Sequence, residues 1–290
     1  MSPAIEAPVK PQLPWVKLAW FGALIIVCYL PILKALVTQW STDEDMSHGF
    51  FVPVIAGFIV WQKRSELLAL KPEPSVWGLL LMGWGAIQMM LGVLGTELFT
   101  SRTAFVITLI GMVWALGGKP FLKKLAFPLF LLFLMVPIPA VIYNQITFPL
   151  QIIASKFAER ALDAMNIPVL REGNILDVAG HPLSVVEACS GIRSLLTLTF
   201  LSLIYGYFFE RHIWVRTALF LSVIPVAILA NGSRVTITGI LTVIKPELAE
   251  GFFHEATGMF LFLADFVILV LAHQFLARIA KWLDARKAAQ

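Results

Sequence analysis

Residues 185–209 read VVEACSGIRSLLTLTFLSLIYGYFF. From Ile192 onward the run is apolar for the length needed to cross the ~30 Å hydrocarbon core of a bilayer, which takes ~20 residues of helix. At its head stands Cys189, one of only two cysteines in the chain, with Arg193 four residues further in. A thiol and a guanidinium at the edge of such a segment raise two questions: what kind of protein contains it, and what those groups do there.

Composition answers the first. Of 290 residues, 59% are hydrophobic and 14% charged, and the mean hydropathy is +0.83. That balance excludes an ordinary soluble domain. Apolar runs recur at about 15–37, 50–62, 76–94, 103–118, 125–142, 190–209, 214–234 and 256–276, separated by charged or Pro/Gly-rich breaks. The expected fold is therefore all-α and polytopic, with about eight transmembrane helices. A tail over 1–14, one membrane domain over 15–276 and a basic tail over 277–290 complete the layout. The first run exceeds 20 residues, follows the Pro-rich SPAIEAPVKPQLP and lacks a small-residue cleavage site, so it reads as a retained helix. No internal repeat is evident. Cys28 and Cys189 are expected as free thiols, far apart in sequence.

Positive charge sets orientation, because Lys and Arg flanking spans stay on the cytoplasmic side. An inside N-terminus and eight spans place fourteen Lys and Arg on that side. Arg102, Lys156, Arg160, Arg171 and Lys245 fall on the other, with the acidic STDEDMSHG of residues 41–49. The net charge of +4 thus reflects topology and calls for no nucleic-acid partner.

On this map three segments deliver polar groups to the outer face. Cys189 opens a helix whose N-terminal dipole favours thiolate, the reactive form. Arg193, at i+4, either steadies that thiolate or snorkels to the interface. In ILANGSRVTITGIL (228–241), Arg234 lies 20 residues from the inner end at Trp214, ~30 Å at 1.5 Å per residue. Pro225, Asn231 and Gly232 are expected to kink or loosen that helix and open a wet cavity. His254, in EGFFHEATGMFLF (250–262), precedes the last span. A thiol, a guanidinium and an imidazole suffice for covalent acyl transfer, with no metal or cofactor. The histidines are scattered, without CxxC or HExxH spacing. Each residue also has a plainer reading: Cys189 as apolar filler, Arg234 as an interfacial arginine, His254 and His48 as surface histidines. Asp265, mid-span, reads as a structural partner or protonated acid ahead of a proton relay.

VVEACSGIRSL (185–195), ILANGSRVTITGI (228–240) and FHEATGMFLF (253–262), in that order, resemble the three signature segments of the bacterial exosortase branch of the exosortase/archaeosortase family. MSHGFFVPVIAGFIVW (46–61), VPIPAVIYNQITFPLQIIAS (136–155) and REGNIL (171–176) are similar as well. The resemblance implies a thiol peptidase or transpeptidase of the bacterial inner membrane, working at its periplasmic side with both termini cytoplasmic. It implies substrate proteins ending in a Pro-Glu-Pro-like motif, one spanning helix and a basic tail. Carried over by motif, the nucleophile is Cys189, the arginine Arg234 and the third residue His254; either Arg234 or His254 serves as proton donor while the other steadies the oxyanion. Arg193 and Asn231, from their places beside these residues, are read as supporting. A transporter, a surface-polysaccharide export subunit and an acyltransferase-like enzyme are the competing classes. Residues 148–167 carry mixed apolar and charged positions at helical spacing, expected along the outer surface. Residues 168–188 are rich in turn residues and are expected to form a short hairpin leading into Cys189.

Overall fold

The computed structural model describes residues 15–185, 192–245 and 251–288. Six helical stretches are long and apolar enough to cross a membrane: Ala19–Thr42, Val76–Leu94, Leu98–Met135, Ile192–Phe209, Ile213–Ile244 and Ala256–Lys287. Leu79, Leu80, Trp84 and Phe260 lie more than half exposed along them, as lipid-facing side chains do. The chain is a predominantly helical, multi-pass membrane protein. Contacts divide it into two compact units, Met1–Pro139 and Ala140–Gln290.

In the first unit, α1 (Trp15–Thr42) leads through a 3-10 segment (Glu44–Phe50) into the short helices α2 (Phe51–Gln62) and α3 (Arg64–Ala69). Then α4 (Val76–Leu94) and α5 (Leu98–Leu131) form a tight antiparallel pair. The seven-residue spacing of Gly78, Gly85 and Gly92 explains their closeness. A Cβ at Gly78 would lie 2.1 Å from the Ala115 nitrogen, and one at Gly92 2.6 Å from that of Ser101. Small residues let helix backbones touch where lipid supplies no hydrophobic drive between them. Tyr29 ties α1 to the pair, its hydroxyl 2.8 Å from Thr108 Oγ1.

The spans expected at 103–118 and 125–142 are redrawn. Helix α5 runs from Leu98 and breaks at Gly118, whose φ of 76° is open to glycine; its second limb ends at Leu131. A 3-10 turn (Leu132–Met135) follows, and the next helix starts only at Ala140. The reason is VPIP: Pro139 has no N–H to give the Met135 carbonyl, and Pro137 disfavours helix before it. Side chains fill the gap. Trp40 Nε1 donates to the Met135 oxygen at 2.9 Å, and His48 Nε2 lies 3.2 Å from that of Leu134. His48 is thus buried, not the surface histidine expected.

In the second unit, α6 (Ala140–Ala164) is followed by an antiparallel sheet of β1 (Val169–Glu172), β2 (Ile175–Val178) and β3 (His181–Ser184), in the order β1-β2-β3. Two-residue connections at Gly173-Asn174 and Ala179-Gly180 carry the positive φ that tight hairpins demand. The expected hairpin therefore exists, with a third strand. The unit closes with α7 (Ile192–Phe209), α8 (Ile213–Ile244) and α9 (Gly251–Ala288). At 32 residues α8 is about 48 Å long, well beyond the hydrocarbon thickness. It continues ten residues past Arg234, where the sequence led us to expect the span to end. Helix α6 packs on α8, with its buried face at Gln151, Ala154, Ser155, Ala158 and Leu162.

Candidate active site

Arg234 sits on the half of α8 that α6 and the sheet enclose. Its neighbour Val235 is fully buried with Ala154, Ala158, Leu162, Leu176, Val178 and Val185. A Cβ at Gly232 would lie 2.6 Å from the Phe157 ring, and one at Gly239 3.0 Å from Leu162. These glycines are seats for α6, and α8 passes through Asn231 and Gly232 without a break. The loosened backbone expected there is absent because its glycine serves close packing. Arg234 is half-buried, and its side chain leaves α8 on the side of α9.

There the guanidinium meets Gly258. A Cβ on Gly258 would stand 2.9 Å from Arg234 Nη2, 3.0 Å from Cζ and 3.5 Å from Nε. Gly258 lies four residues after His254, one turn along α9 on the same face. The backbone thus brings the arginine of one signature segment against the helix that carries the histidine of another. Sequence reasoning missed Gly258; the available signal was a residue without a side chain one turn after a candidate histidine.

The remaining sequence-predicted residues divide. Cys189 lies outside the described residues, and the side chain of His254 is likewise not described. Arg193 is exposed in the first turn of α7. Asn231, three residues before Arg234, is 6% exposed, and its Nδ2 has no hydrogen-bond partner among the described residues. Asp265 is buried in α9, its Oδ2 equally unpartnered, so the structural partner expected for that oxygen is not found among the described residues. Cys28 is an exposed free thiol on α1. Among the described residues no group of three or more His, Cys, Asp or Glu is arranged to hold a metal.

A second polar cluster, unread in the sequence, lies toward the opposite ends of α8 and α9. Glu210, between α7 and α8, accepts from the backbone N–H groups of Arg211 and His212 at 2.7 and 2.8 Å. Its carboxylate also meets His212 Nδ1 at 2.9 Å and His273 Nε2 at 3.2 Å. His212 Nε2 reaches Asp284 at 3.0 Å, and the Arg216 guanidinium donates to the Glu210 carbonyl. Burial works to raise the Glu210 pKa, but the donors from His212, Arg211 and His273 prevail and hold it at about 2. Glu210 and Asp284 raise that of His212. The cluster ties the α7–α8 junction to α9, about 30 Å along α8 from Arg234.

No curated protein and no solved structure matches this chain. The family model described as transmembrane exosortase matches residues 40–271, which include Cys189, Arg234 and His254. Four-fifths of the sequence falls within that match, so the chain belongs to the transmembrane exosortase family.

Proposed function

We propose that this protein is a membrane thiol peptidase or transpeptidase that removes C-terminal sorting tails from exported proteins at the outer face of the bacterial inner membrane. The observation that carries the reading is the seat of Arg234 on Gly258, one turn from His254, in a chain of the exosortase family. The Cys189 thiolate adds to a peptide carbonyl carbon, forming the S–C bond. The resulting oxyanion collapses, the C–N bond breaks, and the leaving amine takes a proton from His254 or Arg234. Water or an acceptor amine then releases the acyl group from the thioester. A substrate held by one spanning helix presents its tail at a fixed depth, which supplies much of the orientation.

Eight crossings fit this reading better than six. With α2 and the second limb of α5 counted as crossings, Lys63, Arg64, Lys71, Lys119, Lys123 and Lys124 join the positive side. Without α2, the first three fall on the opposite face. A second reading, as a transporter or export subunit, draws on Asp265, because an intramembrane carboxylate is a common feature of transport paths.

The test is a reporter carrying a Pro-Glu-Pro motif, an apolar helix and a basic end, followed for tail removal in cells producing the protein. Cys189→Ser and Cys189→Ala are expected to abolish processing, and a hydroxylamine-sensitive adduct to form on the wild-type chain. Full-rate processing by both variants would eliminate the thiol mechanism.

A further inference from the structure

Asn231 is a buried polar side chain, 6% exposed, that α8 carries three residues before Arg234, and its Nδ2 is without a hydrogen-bond partner among the described residues. Leaving a buried donor unmade costs free energy, so such a group in a native structure calls for a reason. A kink does not supply one, because α8 is continuous there. Close packing does not either, because the contact with α6 is made by Gly232 and Phe157 next door. The spacing does: residues three apart on a helix are neighbours on one face, which puts Asn231 beside Arg234.

We infer that Asn231 is a catalytic residue whose Nδ2–H donates to the oxygen of the scissile peptide carbonyl as it becomes an oxyanion; the inference rests on the proposed thiol mechanism. An amide is suited to this task. It is neutral at every working pH, it donates without competing for the proton the leaving amine needs, and it is rigidly placed by burial on a helix. As Sγ bonds to the carbonyl carbon, the C=O π electrons move onto oxygen, and the Asn231 hydrogen bond strengthens with that charge. When the C–N bond breaks, the electrons return and the hydrogen bond weakens again. Asn231 neither gains nor loses a proton. The Arg234 guanidinium, three residues on, is then available to orient the peptide or to serve the leaving group.

The experiment uses the full chain in proteoliposomes with a synthetic tail peptide, a Pro-Glu-Pro segment followed by an apolar helix and a basic end. The peptide is made in two forms, with oxygen or with sulfur (a thioamide) at the bond the wild type is found to cut. Sulfur accepts hydrogen bonds poorly, so an enzyme relying on a donor to that atom discriminates against it. Asn231→Ala and Asn231→Leu are expected to lower kcat on the oxygen peptide by about 10²–10³-fold, the size of a lost oxyanion donor, with KM within twofold. The ratio of oxygen to sulfur rates should fall at least tenfold in both. The thermal midpoint should stay within a few degrees of wild type, because Nδ2 has no hydrogen-bond partner to lose among the described residues. Oxygen-peptide turnover within threefold of wild type, or an unchanged oxygen-to-sulfur ratio, overturns the inference. A fall of ten degrees or more in the midpoint of both variants also overturns it, by revealing a structural partner. Cys189→Ser in the same assay separates the two levels: if that variant is inactive, the thiol mechanism stands whatever Asn231 does.

Discussion

Gly258→Ala tests whether the contact between α8 and α9 sets the active geometry. The added Cβ would lie 2.9 Å from Arg234 Nη2 and 3.0 Å from Cζ, whereas ordinary contact begins near 3.4 Å, so the guanidinium must retreat by about half an ångström. A 1 Å misplacement of a reacting group costs about 100-fold, so half of that predicts a loss of roughly tenfold in turnover. Folding stability should move the other way or not at all. Replacing glycine by alanine inside a helix gains about 0.5–1 kcal/mol, and the obstructing atoms are the far end of a flexible side chain. The variant is therefore expected to be slower at removing the reporter tail yet at least as resistant to thermal unfolding in detergent. Arg234→Lys supplies the second arm, since a point ammonium does not reproduce the planar fork and should fail by itself. If the alanine acts by displacing the guanidinium, adding Gly258→Ala to Arg234→Lys costs little more, and the two losses are strongly non-additive. Wild-type turnover in Gly258→Ala, or additive losses in the double variant, would refute the reasoning.

Two further predictions concern the frame. Gly78→Ala places a Cβ 2.1 Å from the Ala115 backbone nitrogen and should destabilise the α4–α5 pair by about 1–3 kcal/mol, whereas Gly83→Ala, with open space around it, should be neutral or stabilising; thermal midpoints of the two in one detergent give the comparison, and equal midpoints would contradict the packing argument. Glu210→Gln should lower the midpoint most where the native cluster is fully charged. Glu210 is held at about 2, below its ordinary 4.5, so its contribution is complete above 4.5 and fades as pH falls toward 2. His212 is raised above 6.5, so its contribution is complete below 6.5 and fades as pH climbs through its folded value. The difference between wild type and Glu210→Gln should therefore peak between about 4.5 and 6.5 and shrink on both sides; a flat difference across pH would show that the charges do not stabilise the junction.

Membrane class, the beginnings of α1 and α4, and the span of α7 were legible because each depends on local composition: a run of apolar residues bounded by charge or proline. A turn-rich hairpin over 168–188 was legible for a similar reason, but not the third strand nor the turn at Ala179-Gly180, where an alanine takes the positive φ that its side chain disfavours. What escaped depends on partners distant in sequence. Asn231-Gly232 looks like a place to loosen a helix until Phe157 is seen to need the space. His48 looks exposed in an acidic segment until the carbonyl freed by VPIP is seen to need it. Glu210, His212, His273 and Asp284 lie up to 74 positions apart, and only the antiparallel course of α8 and α9 brings them together. For the candidate site, the sequence motifs named Arg234 and His254 but contained nothing to show that Gly258 receives the arginine.

The disposition of α8 suits the proposed site, which at the edge of a membrane must be held to the tolerance that catalysis requires. Groups there cannot be positioned by a web of charges, because each buried ion costs several kcal/mol unless it is well paired. Here the positioning is steric. One side of α8 is fixed by glycine seats for Phe157 and Leu162 and by the packing of Val235 under the sheet. The other side meets α9 through a guanidinium resting where Gly258 has no side chain. About 30 Å away, the Glu210 cluster closes the same pair of helices at the α7–α8 junction, where its carboxylate is well paired by four donors. A helix held at both ends in this way has little freedom to rotate about its axis, and a rotation is the motion that, on the proposed mechanism, would swing Asn231 and Arg234 together away from a peptide. The frame therefore predicts a particular pattern of failure: damage at Gly232, Gly239 or Gly258 should impair turnover more than membrane insertion, whereas damage at Gly78 should impair folding first.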